Sequence, residues 1–335
     1  MSKIVKIAID AMGGENSPRK IIDGIDISLK NNRDNFFYLY GNKDIIENEI
    51  SRKNNIKKYC EIIHTKDFIL DNESPLAAAK KSKETSMWKA IESLKENKSD
   101  ISLSAGNTGA LLVISRLLLK TLDGISKPAL AAMWPNKNDT SLVLDLGANI
   151  ECNEKNLVDF SCMGAALYKS LFFKEKPKIA LLNIGLEENK GNELLKKTFN
   201  TLKNNKTKNF EFIGYIEGNH IMDGNADVII TDGFTGNIAL KTAEGTANFI
   251  TKNLKKSLNS VSLLLSYRSL KKFKDKLDPR KYNGAIFLGL QSPVVKSHGS
   301  TDSVGFAHSI KVCNKIVHAN LIDKIQSNLI TVDAQ

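Results

Sequence analysis

Apolar residues along the chain fall into short, β-branched runs separated by longer segments of helical period. The runs predict strands over Ile4–Ile9, Phe36–Tyr40, Glu61–His64, Ile101–Ser104, Ser141–Asp145, Lys178–Asn183, Phe210–Tyr215 and Val228–Ile230. Helix-length stretches such as Pro75–Lys95, Gly109–Thr121 and Asn192–Lys203 lie between them. This alternation predicts an α/β fold: an open, mostly parallel sheet with crossover helices on both faces. No repeat, low-complexity tract or linker interrupts it, so residues 1–335 read as a single α/β domain with room for two lobes.

In such a sheet the ligand lies beyond the carboxyl ends of the strands. Five loops there share one character. Ile9 leads into "DAMGGENSP", Ser104 into "AGNTG", Leu144 into "DLGAN", Asn183 into "IGLEENKGN" and Ile230 into "TDGFTGN". Glycine lets a backbone approach a ligand, and a helix start offers free N–H groups and a positive dipole end to an anion. Any one such loop reads as structural, because strand-to-helix turns need glycine for geometry alone. Five on one edge point to a shared site for a phosphate-like anion. It is not a nucleotide site of a familiar kind: there is no G-x-G-x-x-G, and Lys190 precedes Gly191 where a P-loop has the reverse order. Neither a G-x-S-x-G elbow nor an H-E-x-x-H pair is present.

Composition narrows this only a little. A net charge of +11, carried mostly by lysine, favours acidic partners without choosing among protein, lipid and phosphate compounds. Cys60, Cys152, Cys162 and Cys313 are far apart and form no C-x-x-C, so they read as buried thiols in a reducing cytosol. "KIVKIAID" begins almost at once, leaving no room for a signal peptide, and Arg116 interrupts the best apolar run. The expectation is a cytoplasmic protein.

Six ordered motifs resemble the phosphate acyltransferase (PlsX) family over essentially the whole chain: "IDAMGG" (Ile9–Gly14), "SAGNTGALL" (Ser104–Leu112), "DLGAN" (Asp145–Asn149), "LLNIGLEENKGNEL" (Leu181–Leu194), "TDGFTGNIALKTAEG" (Thr231–Gly245) and "GLQSPVVKSHGSTD" (Gly289–Asp302). The resemblance implies a fold similar to the isocitrate/isopropylmalate dehydrogenase group and the phosphotransacetylases, and a homodimer. It implies transfer of a fatty acyl group from an acyl-carrier-protein thioester to inorganic phosphate, and a membrane acyltransferase acting on the acyl-phosphate for phospholipid synthesis. No cofactor, metal or nucleic-acid partner is implied. Glu15, Asn16 and Lys127 stand where the family usually has Asp, often His, and Arg, so no role is carried over to them.

Phosphate attacking a thioester needs no enzyme nucleophile. It needs a dianion held and aligned, and donors aimed at the oxygen that becomes negative. On this resemblance Asn107, Thr108, Thr235, Gly236 and Asn237 are the phosphate and oxyanion donors, and Lys190, Lys241 and Lys296 neutralise charge. Gly13, Gly14, Gly106, Gly109, Asn149, Gly191 and Asn192 line the substrate. His298 either donates to phosphate, protonates the departing thiolate or makes a structural turn bond. Asp10 and Asp232 also border the substrate; with Asp145, each orients a lysine or caps a helix.

Residues 252–281 form a basic amphipathic segment. Leu263, Tyr267, Leu270 and Leu277 fall near one helical face, with Arg268, Lys271, Lys272, Lys274 and Lys276 around them. This suits either contact with the anionic inner face of the membrane or a dimer interface, and the basic surface also suits docking of an acidic carrier protein. Two other functions stay open: a phosphotransacetylase-type enzyme using acyl-CoA, and a non-catalytic anion-binding or membrane-scaffold protein.

Overall fold

The computed structural model describes residues 3–257, 278–327 and 329, apart from residues 54, 82 and 206. The described strands are β1 (Val5–Asp10), β2 (Asn35–Gly41), β3 (Cys60–His64), β4 (Ile101–Ser104), β5 (Ala129–Pro135), β6 (Thr140–Leu144), β7 (Lys178–Asn183), β8 (Glu211–Glu217), β9 (Val228–Ile230), β10 (Ala285–Leu288) and β11 (Val294–Lys296). They form one sheet in the order β3-β2-β1-β4-β11-β10-β5-β6-β9-β7-β8. The helices are α1 (Arg19–Asn31), α2 (Lys43–Ser51), α3 (Pro75–Lys81), α4 (Ser86–Lys95), α5 (Thr108–Leu119), α6 (Glu154–Phe172), α7 (Glu193–Asn204), α8 (Gly233–Ser257), α9 (Ser303–His318) and α10 (Leu321–Gln326).

Successive strand residues face opposite sides, which divides the core in two. Ile7, Ile9, Leu103, Leu144, Leu181 and Ile230 pack with α1, α6 and α9 on one face. Leu130, Val143, Leu182 and Ile229 pack with α4 and α5 on the other. Helix α6 is buried nearly all round, from Asn156 to Leu171 but for Lys169. Gly164 lets it sit close: a Cβ there would lie 2.7 Å from Val228 Cγ1 and 3.0 Å from Leu144 Cδ2.

The expected α/β sheet is present, with one correction to its edges. Strands β1, β2, β3, β4 and β11 run parallel to one another, and β6, β7, β8 and β9 do likewise. Three antiparallel junctions, β11–β10, β10–β5 and β5–β6, separate the blocks and leave them pointing in opposite senses. The five glycine loops therefore do not share one edge. Sheet twist offsets much of this: at roughly 20–25° per strand, the five steps from β4 to β9 turn the second block by about 100–125°. The carboxyl ends of the blocks then diverge by about 55–80° rather than opposing one another.

Strands β5, β10 and β11 were not expected. "ALAAMWP" is too rich in alanine, and "AIFL" and "VVK" are too short, to announce strands; pairing on both sides creates them. The stretch Pro75–Lys95 is two helices, because Thr85 caps α4 by accepting from Trp88 N at 3.3 Å. The core of the basic segment, residues 258–277, lies outside the described residues.

Overpacking at the α6 contact tests this arrangement. Gly164→Val should lower stability by about 1–3 kcal/mol, seen as a lower midpoint of urea unfolding. An unchanged midpoint would mean that α6 moves freely off the sheet.

Candidate functional site

The site begins with strand register. Asp10 of β1 lies opposite Ser104 of β4, and Ser104 lies opposite Lys296 of β11. Each ends its strand, so parallel pairing sets a carboxylate, a hydroxyl and an ammonium side by side on one face. Ser104 Oγ donates to Asp10 Oδ2 at 2.7 Å, and Ser86 Oγ at the start of α4 donates to Oδ1 at 2.6 Å. Burial pushes the Asp10 carboxyl above its ordinary range, against the pull of these bonds. Asp10 thus ties two strand ends to a helix start; among the described residues it neither caps a helix nor pairs with a lysine. Gly13 and Gly106 fit against this knot. A Cβ on Gly13 would lie 2.5 Å from Asp10 Oδ2 and 2.7 Å from Gly106 N, so the glycines make room for the protein itself.

Lys296 is only 8% exposed. Its ammonium donates to the carbonyls of Ala105, at 3.3 Å, and Ser297. Burial lowers its pKa to about 8, more than Asp71 and Asp10 can offset. A second lysine, which the motifs did not single out, joins it. Lys20, the second residue of α1, is 6% exposed, and its ammonium donates to the Gly299 carbonyl. Burial lowers its pKa too, against Glu15 and Asp71. Gly14, at φ +80°, sits among these groups: a Cβ there would be 2.8 Å from both Ala105 O and Lys20 Nζ. Lys20 lies opposite the apolar stripe of Ile21, Ile22, Ile25 and Leu29, so loops bury it and periodicity does not flag it. Its one sequence signal is position: a cation just inside the helix that follows a glycine loop.

His298 follows on the loop after β11. Ser300 N can only donate, and it faces His298 Nδ1 at 3.3 Å, so the neutral ring carries its proton on Nε2. Nε2 faces Glu244 Oε1 of α8 at 4.0 Å, and Glu244 accepts from Lys241 Nζ at 2.8 Å. Burial lowers the His298 pKa, opposed by Glu244 and reinforced by Lys296, Lys241 and Lys20. Helix α8 starts in the other block; about 12–16 Å of helix carry Lys241 and Glu244 across to the first. Lys241 thus reaches the cluster, although its charge is already paired.

The second block is built like the first. Asp145, buried, accepts from the backbone N–H groups of Leu130 (3.0 Å), Gly147 (3.2 Å), Ala148 (2.9 Å) and Asn149 (2.8 Å). Both Asn149 Nδ2 protons go to the protein, to Pro128 O (2.7 Å) and Asp145 Oδ2 (2.8 Å), so its amide nitrogen donates within the loop. Asp232 caps α8 by accepting from Thr235 N and Thr235 Oγ1, each at 2.8 Å, so the Thr235 hydroxyl proton is committed. Gly236 packs on protein: a Cβ would lie 1.9 Å from Asp145 O. Asn237 Nδ2 donates to Leu146 O at 3.3 Å.

Other expected donors prove to be caps. Asn107 Oδ1 accepts from Ala110 N at 3.0 Å, and Nδ2 donates to the carbonyls of Asp71 (3.0 Å) and Glu73 (2.9 Å). No proton of that amide is left for an oxyanion. Gly109 packs on Pro75, whereas Thr108 is exposed at the start of α5. Asn192 caps α7 by accepting from Leu195 N at 3.0 Å. Gly191, at φ +88°, turns over Asn183, and Lys190 extends from the same exposed loop. Among the described residues no ion pair or hydrogen bond links that loop to the lysine–histidine cluster.

Two outcomes follow. Asn107→Ala should destabilise the fold by about 1–2 kcal/mol, with Asn107→Asp, which keeps the cap oxygen, in between; urea unfolding of the three proteins checks this. Lys296, depressed from 10.5 to about 8, binds fewer protons folded than unfolded between those values. Without a bound anion, its contribution to stability rises with pH across that window. Melting curves from pH 7.5 to 10.5 should therefore rise less, or fall more, in Lys296→Met than in the parent chain.

Residues 5–324 match a family model described as "Fatty acid synthesis protein". The chain is 59% identical over 334 residues to the phosphate acyltransferase of Pelagibacter ubique (strain HTCC1062), covering 98% of this chain and 100% of that one. It is 42% identical to the enzyme of that name from Rhodopseudomonas palustris (strain TIE-1), covering 98% and 95%. A phosphotransacetylase from Streptococcus pyogenes shares the fold at TM-score 0.63 and 15% identity, covering 95% and 94%. A branched-chain phosphotransacylase from Enterococcus faecalis V583 does so at TM-score 0.60 and 17%, covering 94% and 99%. With a family model matching residues 5–324 and sequence likeness over 98% of its length, the chain belongs to the phosphate acyltransferase family.

Proposed function

We propose that the protein transfers a fatty acyl group from acyl-carrier-protein thioester to inorganic phosphate, giving acyl-phosphate for phospholipid synthesis. The observation that carries this reading is the Lys296 ammonium: nearly buried, held only by carbonyls, and in no ion pair among the described residues. A buried charge without a counter-ion is costly, and a bound dianion supplies one. A phosphate oxygen held there forms a bond to the thioester carbon, and the carbonyl oxygen takes up the negative charge. Collapse breaks the C–S bond, and sulfur leaves with the electron pair as thiolate, at an ordinary thiol pKa of about 8.5. Since the Asn107 amide is committed, the oxyanion donors are the first N–H groups of α5, at Thr108 and Gly109, and His298 Nε2–H. No thiolate is poised to compete as nucleophile at Cys60 or Cys152, whose pKa values burial pushes up to about 12 and about 11.

The net charge of +11 fits an acidic carrier protein as donor. Helix α8 bares Phe234 (58%), Ile238 (51%) and Phe249 (70%), which supports a homodimer covering that face. No described helix is long and apolar enough to cross a membrane. Contact of residues 252–281 with anionic lipid completes the proposal, since the product carries an apolar tail.

Acyl-phosphate formation measured against phosphate, with acyl-carrier-protein and acyl-CoA donors in parallel, tests the reading. Saturable phosphate dependence with the carrier protein is expected. Preference for acyl-CoA would turn it into a phosphotransacetylase, and thioester loss indifferent to phosphate would refute it. Lys296→Met should raise the phosphate KM tenfold or more. Lys241→Ala, which removes an exposed and already paired charge, should raise it only a few-fold.

A further inference from the structure

We propose that Lys20 supplies a second ammonium to the same anion as Lys296, making the site selective for a dianion; this rests on the phosphate reading above. Both ammonium groups border one small volume. Lys20 Nζ and Ala105 O lie equally close to the Gly14 Cβ position, at 2.8 Å, and Lys296 Nζ donates to that same Ala105 carbonyl. They arrive from different elements, α1 and β11, so no helical or strand repeat forces them together.

The partners of Lys20 are what point to a ligand. Its ammonium is 94% removed from solvent with its residue, yet it donates only to the Gly299 carbonyl and enters no ion pair among the described residues. That carbonyl also accepts from Glu15 N at 3.0 Å, so it keeps a partner when Lys20 turns away. An ammonium has three donors, and a single neutral carbonyl leaves two of them without a described acceptor. The surrounding carboxylates do not close the account: Glu15 and Asp71 attract Lys20 only at a distance, and burial outweighs both. A tetrahedral dianion between Lys20 and Lys296 satisfies both cations at once, whereas a monoanion leaves one unpaired. A Cβ on Gly299 would make only ordinary contacts, 3.4 Å from Ala105 O and 3.8 Å from Asp71 Oδ2, so no side chain fills the loop beside Lys20.

The experiment compares the full-length parent chain with Lys20→Met, which keeps the stem, and Lys20→Arg, which keeps the charge. In thermal melts, phosphate and sulfate should raise the midpoint of the parent more than formate at equal ionic strength. Lys20→Met should need about ten- to a hundredfold more phosphate or sulfate for the same rise, with its response to formate little changed. In turnover, its phosphate KM should rise by the same factor while kcat falls less, and Lys20→Arg should recover most of the difference. Phosphate affinity in the parent should also fade as pH rises and the two depressed lysines lose their protons, less steeply in Lys20→Arg. If Lys20→Met merely melts earlier, with phosphate and sulfate responses equal to the parent's, Lys20 is a structural tie and the inference fails. If the parent makes no acyl-phosphate but still shows the Lys20-dependent dianion response, the acyl-transfer reading fails and the dianion site stands.

Discussion

A carboxylate taken out of water must be met by hydrogen-bond donors, and this fold uses that constraint once in each half of its sheet. Asp10 closes the first block and Asp145 the second, each in the last turn of backbone before a glycine loop. Each gathers donors from separate pieces of chain: serines from α4 and β4 for Asp10, backbone amides from β5 and the following loop for Asp145. The desolvation that pushes both carboxyls up is what makes those donors obligatory. Gly13 and Gly236 follow from the same knots, because a side chain at either would collide with the carboxylate or its backbone, and one at Gly106 would crowd Asp10 Oδ2 at 3.3 Å.

With the loops fixed, the remaining difficulty is directional. Two parallel blocks that point in opposite senses cannot aim their carboxyl ends at one ligand by topology alone. The three antiparallel junctions between β11 and β6 create the mismatch, twist removes much of it, and α8 covers what is left. Glu244 marks the arrival: it takes a hydrogen bond from Lys241 on its own helix and faces His298 from the other block. The Lys241–Glu244–His298 chain is therefore where the two halves read each other's charge, and any movement of α8 changes the electrostatics at His298.

The class of fold was legible because long helical periods and β-branched runs alternate, and these signals are local. Strands β5, β10 and β11 were illegible because alanine-rich or three-residue segments become strands only through their neighbours. The loops were legible as loops; their residues' roles were not. Asn107, Asn192 and Asp232 carry the same side chains whether they hold an anion or cap a helix, and only the bonds at Ala110 N, Leu195 N and Thr235 N separate the two uses. Lys296 lies in a motif the sequence displays, and its register beside Ser104 explains why that motif sits on a strand. The burial of Lys20 was illegible because it comes from loops distant in sequence, which no periodicity records.

Charge count and charge effect also part company here. The excess of +11 is spread over lysines such as Lys43, Lys137 and Lys203, which stand in solvent and pair across the surface, where screening leaves each pair worth little. Lys20 and Lys296 add only two to the total, but they lie where water is excluded and the effective dielectric is low. A charge that has lost its hydration binds a counter-ion with much more of its Coulomb energy intact, so these two outweigh the rest for a small anion. The surface excess can still draw a large acidic partner towards the molecule, because attraction over a protein-sized face sums many weak terms. One composition thus has two ranges: lysines in water attract a partner at a distance, and lysines out of water act only on a charge brought beside them.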